Sequence, residues 1–189
     1  MPKRLVARIT VRSVVGRRAE GRLTVGGAAF RCALGPAGIV SAKREGDGAT
    51  PRGSLPVRRV FRRADRGPRP QCAVEVRVTR ASDGWCDAVG NRRYNRLVRL
   101  PFPASHETMW RDDHLYDLVG ELGWNDRPPT PGRGSAIFLH AARPDFTPTQ
   151  GCVALAPGPL RRVLAMVGPG TRIAIGLVPR KIRRKCGRI

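Results

Sequence analysis

Two residues in the C-terminal third of the chain have the types needed for nucleophilic chemistry. In "GSAIFLHAARPDFTPTQGCVALAPGPL", His140 closes an apolar run and Cys152 follows a glycine twelve residues later. A thiol attacks carbonyl carbon only as the thiolate, and a histidine within hydrogen-bond reach can take its proton. Gly151 permits a tight turn before the cysteine, so backbone amides around Gln150 to Cys152 could converge on one oxyanion. The competing interpretation makes Cys152 a small buried hydrophobe and His140 a hydrogen-bonded residue at a strand end. Spacing alone does not separate the two.

The elements that must position this pair are short. Ala136 to Leu139 is continuously apolar, too brief for a typical helix and bounded by Gly134 and Pro144, which predicts a buried strand with His140 at its exit. Arg143 to Gln150 holds two prolines and an aspartate and reads as a loop. Pro157, Gly158 and Pro159 open a helical run over Leu160 to Val167 and would set Cys152 close to a helix start, whose dipole favours a thiolate.

Elsewhere the periodicity favours strands. Leu5, Ala7, Ile9 and Val11 alternate with polar residues, and Leu23 to Leu34 continues after an interruption at Gly26 and Gly27, so residues 4 to 34 read as antiparallel strands. Val57, Val60 and Phe61, then Val74, Val76 and Val78, predict two more around an exposed loop at 63 to 71. Residues 81 to 105 have little period, but Trp85, Tyr94 and Phe102 need burial, which suggests an ordered excursion. "HLYDLVGELGWND" reads as a strand into a turn and "TRIAIGLV" as a final strand. The fold class is mostly β, one domain with one or two short helices.

Composition narrows the partners. A chain of 189 residues, 41% hydrophobic, suits one domain with a substantial core. The net charge of +22, from 36 basic and 14 acidic residues, favours anionic partners such as nucleic acid, acidic lipid or cell-wall polymer. A basic nucleic-acid-binding β domain is the alternative from another class, with arginines on phosphates. Against it, aromatic residues are only 5% and do not interleave with the basic ones as a base-stacking surface requires. The densest basic cluster lies in residues 179–189, expected to be a disordered tail.

Five cysteines at 32, 72, 86, 152 and 186 form no CxxC pair and no ligand spacing with histidine, so no metal site is expected, and their scatter speaks against a disulfide framework. Arg8 and Arg12 break the N-terminal apolar run, and no 18-residue apolar span is present. As written, the chain is expected to be cytoplasmic, and periplasmic if the true start lies upstream.

The pattern around His140 and Cys152 resembles the catalytic core of the L,D-transpeptidase (YkuD-like) family. Its Ser/Thr-x-Gly-Cys motif falls on Thr149, Gln150, Gly151 and Cys152, its upstream base on His140, and its Thr-Pro-x-Gly turn on Thr50, Pro51, Arg52 and Gly53. The likeness covers roughly residues 5 to 178, and "GWCDAVGNRRYNR" and "MWRDDHLYD" are similar to segments of a compact stand-alone branch.

The resemblance implies a cofactor-free L,D-transpeptidase-like β-sandwich over residues 1–178 that acts on peptidoglycan stem peptides. Cys152 would be the nucleophile that forms a thioester acyl-enzyme, His140 the base, and the backbone around Gly151 and Gln150 the oxyanion site. An amine acceptor gives transpeptidation, whereas water gives the L,D-carboxypeptidase cleavage of peptidoglycan recycling. Carbapenems are implied as acylating agents.

Two positions depart from the pattern: Gln150, where many members have His, and Ala154, where some have Arg. They bear on the oxyanion and acceptor contacts and leave the base in place. The loop from His140 to Cys152 is also short for the family, which assigns much of the groove to residues 81 to 130. Thr149, Arg143 and His114 are candidate substrate contacts: Arg143 suits a carboxylate by position, with a solvated loop arginine as its alternative, and His114 could line the groove or simply be a polar turn group. His106 is expected on the surface. Cys86 is a competing thiol with no histidine in a motif beside it.

Overall fold

The computed structural model describes residues 5–177; the basic segment at 179–189, with Cys186, lies outside the described residues. The chain forms β1 (Val6–Val14), β2 (Arg17–Val25), β3 (Ala28–Ala33), β4 (Ile39–Val40), β5 (Thr50–Pro51), β6 (Gly53–Arg62) and β7 (Val76–Val78). It continues through β8 (Asp83–Cys86), β9 (Arg96–Arg99), β10 (His106–Thr108), β11 (Leu118–Leu122), β12 (Phe138–Ala141) and β13 (Val153–Leu155). Helix α1 (Pro157–Leu164) and β14 (Val167–Ile175) complete it.

The N-terminal meander follows from alternation and turn chemistry. Ile9, Val11, Leu23 and Val25 are buried while their neighbours face out, and Gly26 and Gly27, at φ +54° and +83°, make the two-residue hairpin between β2 and β3. β1 then pairs in parallel with β14, which brings the two ends of the domain together.

The large sheet has nine strands in the order β11-β12-β13-β3-β2-β1-β14-β6-β7, and β11 also pairs with β6. That pairing closes the strands from β11 to β6 into a ring, so the layers expected of a sandwich are one continuous sheet. The mostly β, single-domain expectation holds, with strands in 42% and helix in 6% of the described residues.

Two apolar clusters divide along the pleat. Val60, Leu118, Leu139, Val153 and Leu155 belong to the main core with Ile9, Leu23, Ile173 and Ile175. Their sequence neighbours Phe61, Val119, Phe138 and Cys152 face the other way, into a second cluster with Trp85, Met109 and Tyr116. Helix α1 buries Leu160, Val163 and Leu164 in the main core. Each of these leucines contributes about 1.5–3 kcal/mol on complete burial.

Four expectations change in detail. The strand predicted at Ala136 to Leu139 runs from Phe138 to Ala141, because Ala136 adopts φ +51°, outside the strand region, and His140 therefore lies within the strand. The helix ends at Leu164, three residues early, where the chain turns into β14. Residues 81 to 108 hold a second sheet, ordered β10-β8-β9, whose strands of three and four residues are too short to show alternation.

The loop at 63 to 71 is pinned at its start. Arg63 is buried, its guanidinium lies 3.4 Å from the centroid of the Trp110 ring, and it pairs with Asp65 and donates to the Arg111 carbonyl. A 3-10 turn follows at Ala64–Arg66.

Candidate active site

Cys152 ends a turn that Thr149 ties together. The Thr149 hydroxyl donates to the Cys152 carbonyl at 2.7 Å and accepts from the Gly151 amide at 3.2 Å, while the Thr149 amide donates to the Leu34 carbonyl. Gly151 has φ +126°, and a Cβ there would stand 2.6 Å from the Ala49 carbonyl oxygen. Only glycine fits both demands. Ala49 is held by the following Thr50, which is fully buried and accepts from the Gly35 amide at 3.0 Å. The Thr-Pro-x-Gly segment therefore buttresses the cysteine turn, about a hundred residues away in sequence.

β12 and β13 are adjacent and parallel, with Leu139 opposite Val153 and His140 opposite Ala154. This register sets Cys152 beside Phe138, two residues along from His140. Because side chains alternate, Phe138, His140, Cys152 and Ala154 share one face, turned away from the main core. His140 and Cys152 line one cleft, with about 570 Å³ of open volume, and are 6% and 7% exposed. Of the aromatic rings packed here Tyr116 lines the cleft: it meets His140 edge-on at 5.2 Å and, behind the lining, Phe138 at 5.8 Å, which in turn meets Trp85 at 5.2 Å.

The hydrogen bonds fix the resting proton positions. His140 Nδ1 lies 2.8 Å from the Ala141 carbonyl oxygen, which can only accept, so Nδ1 carries the proton and Nε2 keeps its lone pair. The Cys152 thiol donates to the Ala136 carbonyl at 3.2 Å and accepts from the Phe138 amide at 3.3 Å. The thiol is thus parked on the backbone of the neighbouring strand at rest, and a rotation about its Cα–Cβ bond must release it.

Asn95 holds that parking place. Its side-chain oxygen accepts from Trp85 Nε1 and the Ala136 amide, and its side-chain nitrogen donates to the carbonyls of Trp124 and Asn125.

Both reactive groups are neutral. Burial raises the Cys152 thiol well above its ordinary value, and the nearby Glu107 carboxylate adds to this, against the opposing pull of the Phe138 amide and Lys43. Burial lowers His140 to about 4; the Ala141 carbonyl opposes this and the Arg111 charge reinforces it. At neutral pH the pair is thiol and imidazole, not thiolate and imidazolium. The expected help from a helix start is absent, because β13 separates Cys152 from α1 and a helix dipole fades within its first turn.

The other residues singled out from sequence divide. Gln150 and Arg143 line the cleft and are exposed, the latter with one guanidinium nitrogen 3.5 Å from Asp113. Thr149 lines it too, with its hydroxyl committed to the turn. His114 lies on an exposed turn at φ +63°, outside the lining, its ring bonded to Asp117 and Arg66. The polar-turn alternative describes it. His106 was expected on the surface, yet it is half-buried in β10 and lines the cleft.

Cys86 is buried on β8 and does not line the cleft. Cys32, Cys72, Cys86 and Cys152 are all free thiols, and no cluster of His, Cys, Asp or Glu suited to a metal occurs among the described residues. Among those residues no helix is long and apolar enough to cross a membrane.

Sequence reasoning missed several positions at or near the cleft. Glu107 and Tyr116 share a hydrogen bond beside the reactive pair, Arg111 faces His140, and buried Lys43 lends Cys152 a positive field while bonded to Asp47. The signal for Lys43 and Asp47 was their proximity to the Thr-Pro-x-Gly segment. The others lie in a region without periodicity.

No curated protein and no solved structure matches the chain. The family model for the L,D-transpeptidase catalytic domain (YkuD) matches residues 12–175, from β1 to the end of β14, a span that includes His140 and Cys152. The chain belongs to the L,D-transpeptidase catalytic-domain family, and is an enzyme of that type.

Proposed function

We propose that the protein is a cysteine-dependent L,D-transpeptidase that transfers a peptidoglycan stem peptide through a thioester on Cys152, with His140 as base. The observation that carries this reading is that His140 on β12 and Cys152, the residue just before the adjacent parallel β13, line one cleft, with His140 Nε2 free of a proton.

The proton inventory suits general-base attack. As the thiol turns from Ala136 toward the donor carbonyl, Nε2 of His140 takes its proton while sulfur bonds to carbon. The oxyanion is met by the backbone amides of Gln150 and Cys152 in the turn; the Gly151 amide expected to join them is held by the Thr149 hydroxyl, and Gly151 serves through its backbone conformation instead. On collapse the carbon–nitrogen bond breaks, and His140 returns its proton to the departing amine. An acceptor amine then attacks the thioester and gives its extra proton to His140, and the sulfur leaves as thiol. Water in place of the amine yields the L,D-carboxypeptidase product instead.

The test is incubation of the purified protein with defined stem tetrapeptides, with and without an acceptor amine, followed by weighing of the products. A cross-linked or amine-exchanged product that requires Cys152 is expected. Hydrolysis alone in saturating acceptor would replace transpeptidation by the carboxypeptidase reading. Turnover that survives Cys152→Ala would refute both.

A further inference from the structure

One wall of the cleft runs against the charge of the whole molecule. The chain carries 36 basic and 14 acidic residues, yet Glu45, Asp87 and Glu107 gather on the lining of one cleft. Among the described residues none of the three forms an ion pair, although carboxylates elsewhere, such as Asp47, Asp65, Asp83 and Asp113, each hold an arginine or lysine. Glu45 and Glu107 are instead capped by neutral donors, the hydroxyls of Tyr94 and Tyr116. The cations of the cleft, Arg111 and Arg143, both contact Asp113.

A second observation points to a missing ligand. Ser135 lines the same cleft and is only 7% exposed, and its hydroxyl oxygen has no hydrogen-bond partner. Oδ1 of Asp87 is likewise buried and unpartnered. A buried polar group without a partner is costly, and a bound donor relieves that cost. The required ligand is therefore a donor with positive charge. Since the described residues include no metal-suited cluster, the better match is a group with several N–H bonds, and an ammonium offers three. Burial raises the Glu107 pKa, the Tyr116 hydrogen bond and the Arg111 charge oppose this, and Asp87 and Glu45 add to it, which places the three carboxylates within reach of one another.

We propose that the wall formed by Glu45, Asp87, Glu107 and Ser135 is a subsite for a primary ammonium group of the substrate. The assignment deepens the acyl-transfer reading and rests on it for the identity of the substrate. Glu107 lines the same cleft as Cys152, and its partner Tyr116 packs edge-on against His140, so the ammonium sits on the same cleft as the acyl-transfer pair. Two amines could occupy it: a side-chain amine of the acyl donor, or the acceptor amine before it attacks.

Binding and transfer experiments separate these sources. The full chain with Cys152→Ala is titrated by NMR with a stem tetrapeptide whose acyl-donor residue bears a free side-chain amine, and with the same peptide acetylated at that amine. The titrations are repeated with Glu107→Gln, which retains an acceptor for Tyr116, with Asp87→Asn, and with Ser135→Ala, which removes the unpartnered hydroxyl. If the donor amine is bound, acetylation weakens binding about tenfold, and the carboxylate variants shrink that ratio below about threefold.

In the second arm the wild-type enzyme is first acylated with an uncharged donor, and transfer to a primary amine is followed. If the acceptor amine is bound, Glu107→Gln and Asp87→Asn raise its KM severalfold while the first arm shows no discrimination. No effect of amine charge or of the variants in either arm overturns the subsite. Charge-dependent binding without any acyl product would overturn the acyl-transfer reading and leave the subsite standing.

Discussion

The closed barrel and the excursion from 79 to 117 contribute different things to one cleft. The barrel supplies His140 from β12 and Cys152 from the turn that enters β13, two adjacent strands whose register is fixed by ladder hydrogen bonds and by inward-facing Leu139, Val153 and Leu155. The excursion supplies Asp87, Glu107, Arg111 and Tyr116 from short strands and turns laid over the barrel's outer face. Reacting atoms need sub-ångström placement, which a sheet provides. Recognition of a charged ligand tolerates looser support. On the proposed reading, the contrast separates chemistry, carried by the barrel, from selection, carried by the excursion.

Changes in the barrel pair should give the largest effects. Cys152→Ala is expected to lower kcat/KM by about 10⁴-fold or more and to abolish labelling by a carbapenem, as read by single-turnover kinetics and intact mass. His140→Asn should lower the acylation rate by roughly 10²–10⁴-fold, because it removes the base and keeps the fold. In the unsubstituted enzyme, kcat/KM should hold from neutral pH down to about 5 and fall as pH drops through about 4, where His140 gains its proton and ceases to be a base. An acid limb near the ordinary histidine value of about 6.5 would show that the imidazole is not desolvated as described.

The link between the two regions can be cut next. Asn95→Ala removes four hydrogen bonds that fasten β8 and the turn near Trp124 to Ala136. A loss of roughly 2–4 kcal/mol is expected in denaturant unfolding. Gly151→Ala forces a Cβ against the Ala49 carbonyl and should destabilise by about 1–3 kcal/mol. The smallest effect belongs to His114→Ala, which lies outside the cleft and should change kcat/KM by less than about twofold. A large loss there would draw the boundary of the site in the wrong place.

The two regions also differed in how far they could be read from sequence. Nine-residue strands such as β1 and β2 alternate long enough for their buried face to show, and Gly26-Gly27 marks their hairpin turn onto β3. The Thr-x-Gly-Cys turn and His140 were legible through resemblance, since spacing alone left the packing alternative open. Ala136 was misread because a left-handed alanine leaves no trace in an apolar run. The ammonium wall was not legible at all. Glu45, Asp87, Glu107 and Ser135 come from four separate segments, and only the fold brings them onto one cleft.

The most direct test of Cys152 and His140 as the acyl-transfer pair is peptide mapping by mass spectrometry after a short acid quench of the protein reacting with a stem tetrapeptide. The expected result is a single thioester adduct on Cys152, with the mass of the tetrapeptide less its terminal amino acid, that accumulates more slowly with His140→Asn. An adduct on Cys86, or product formed by Cys152→Ala without any adduct, would contradict it.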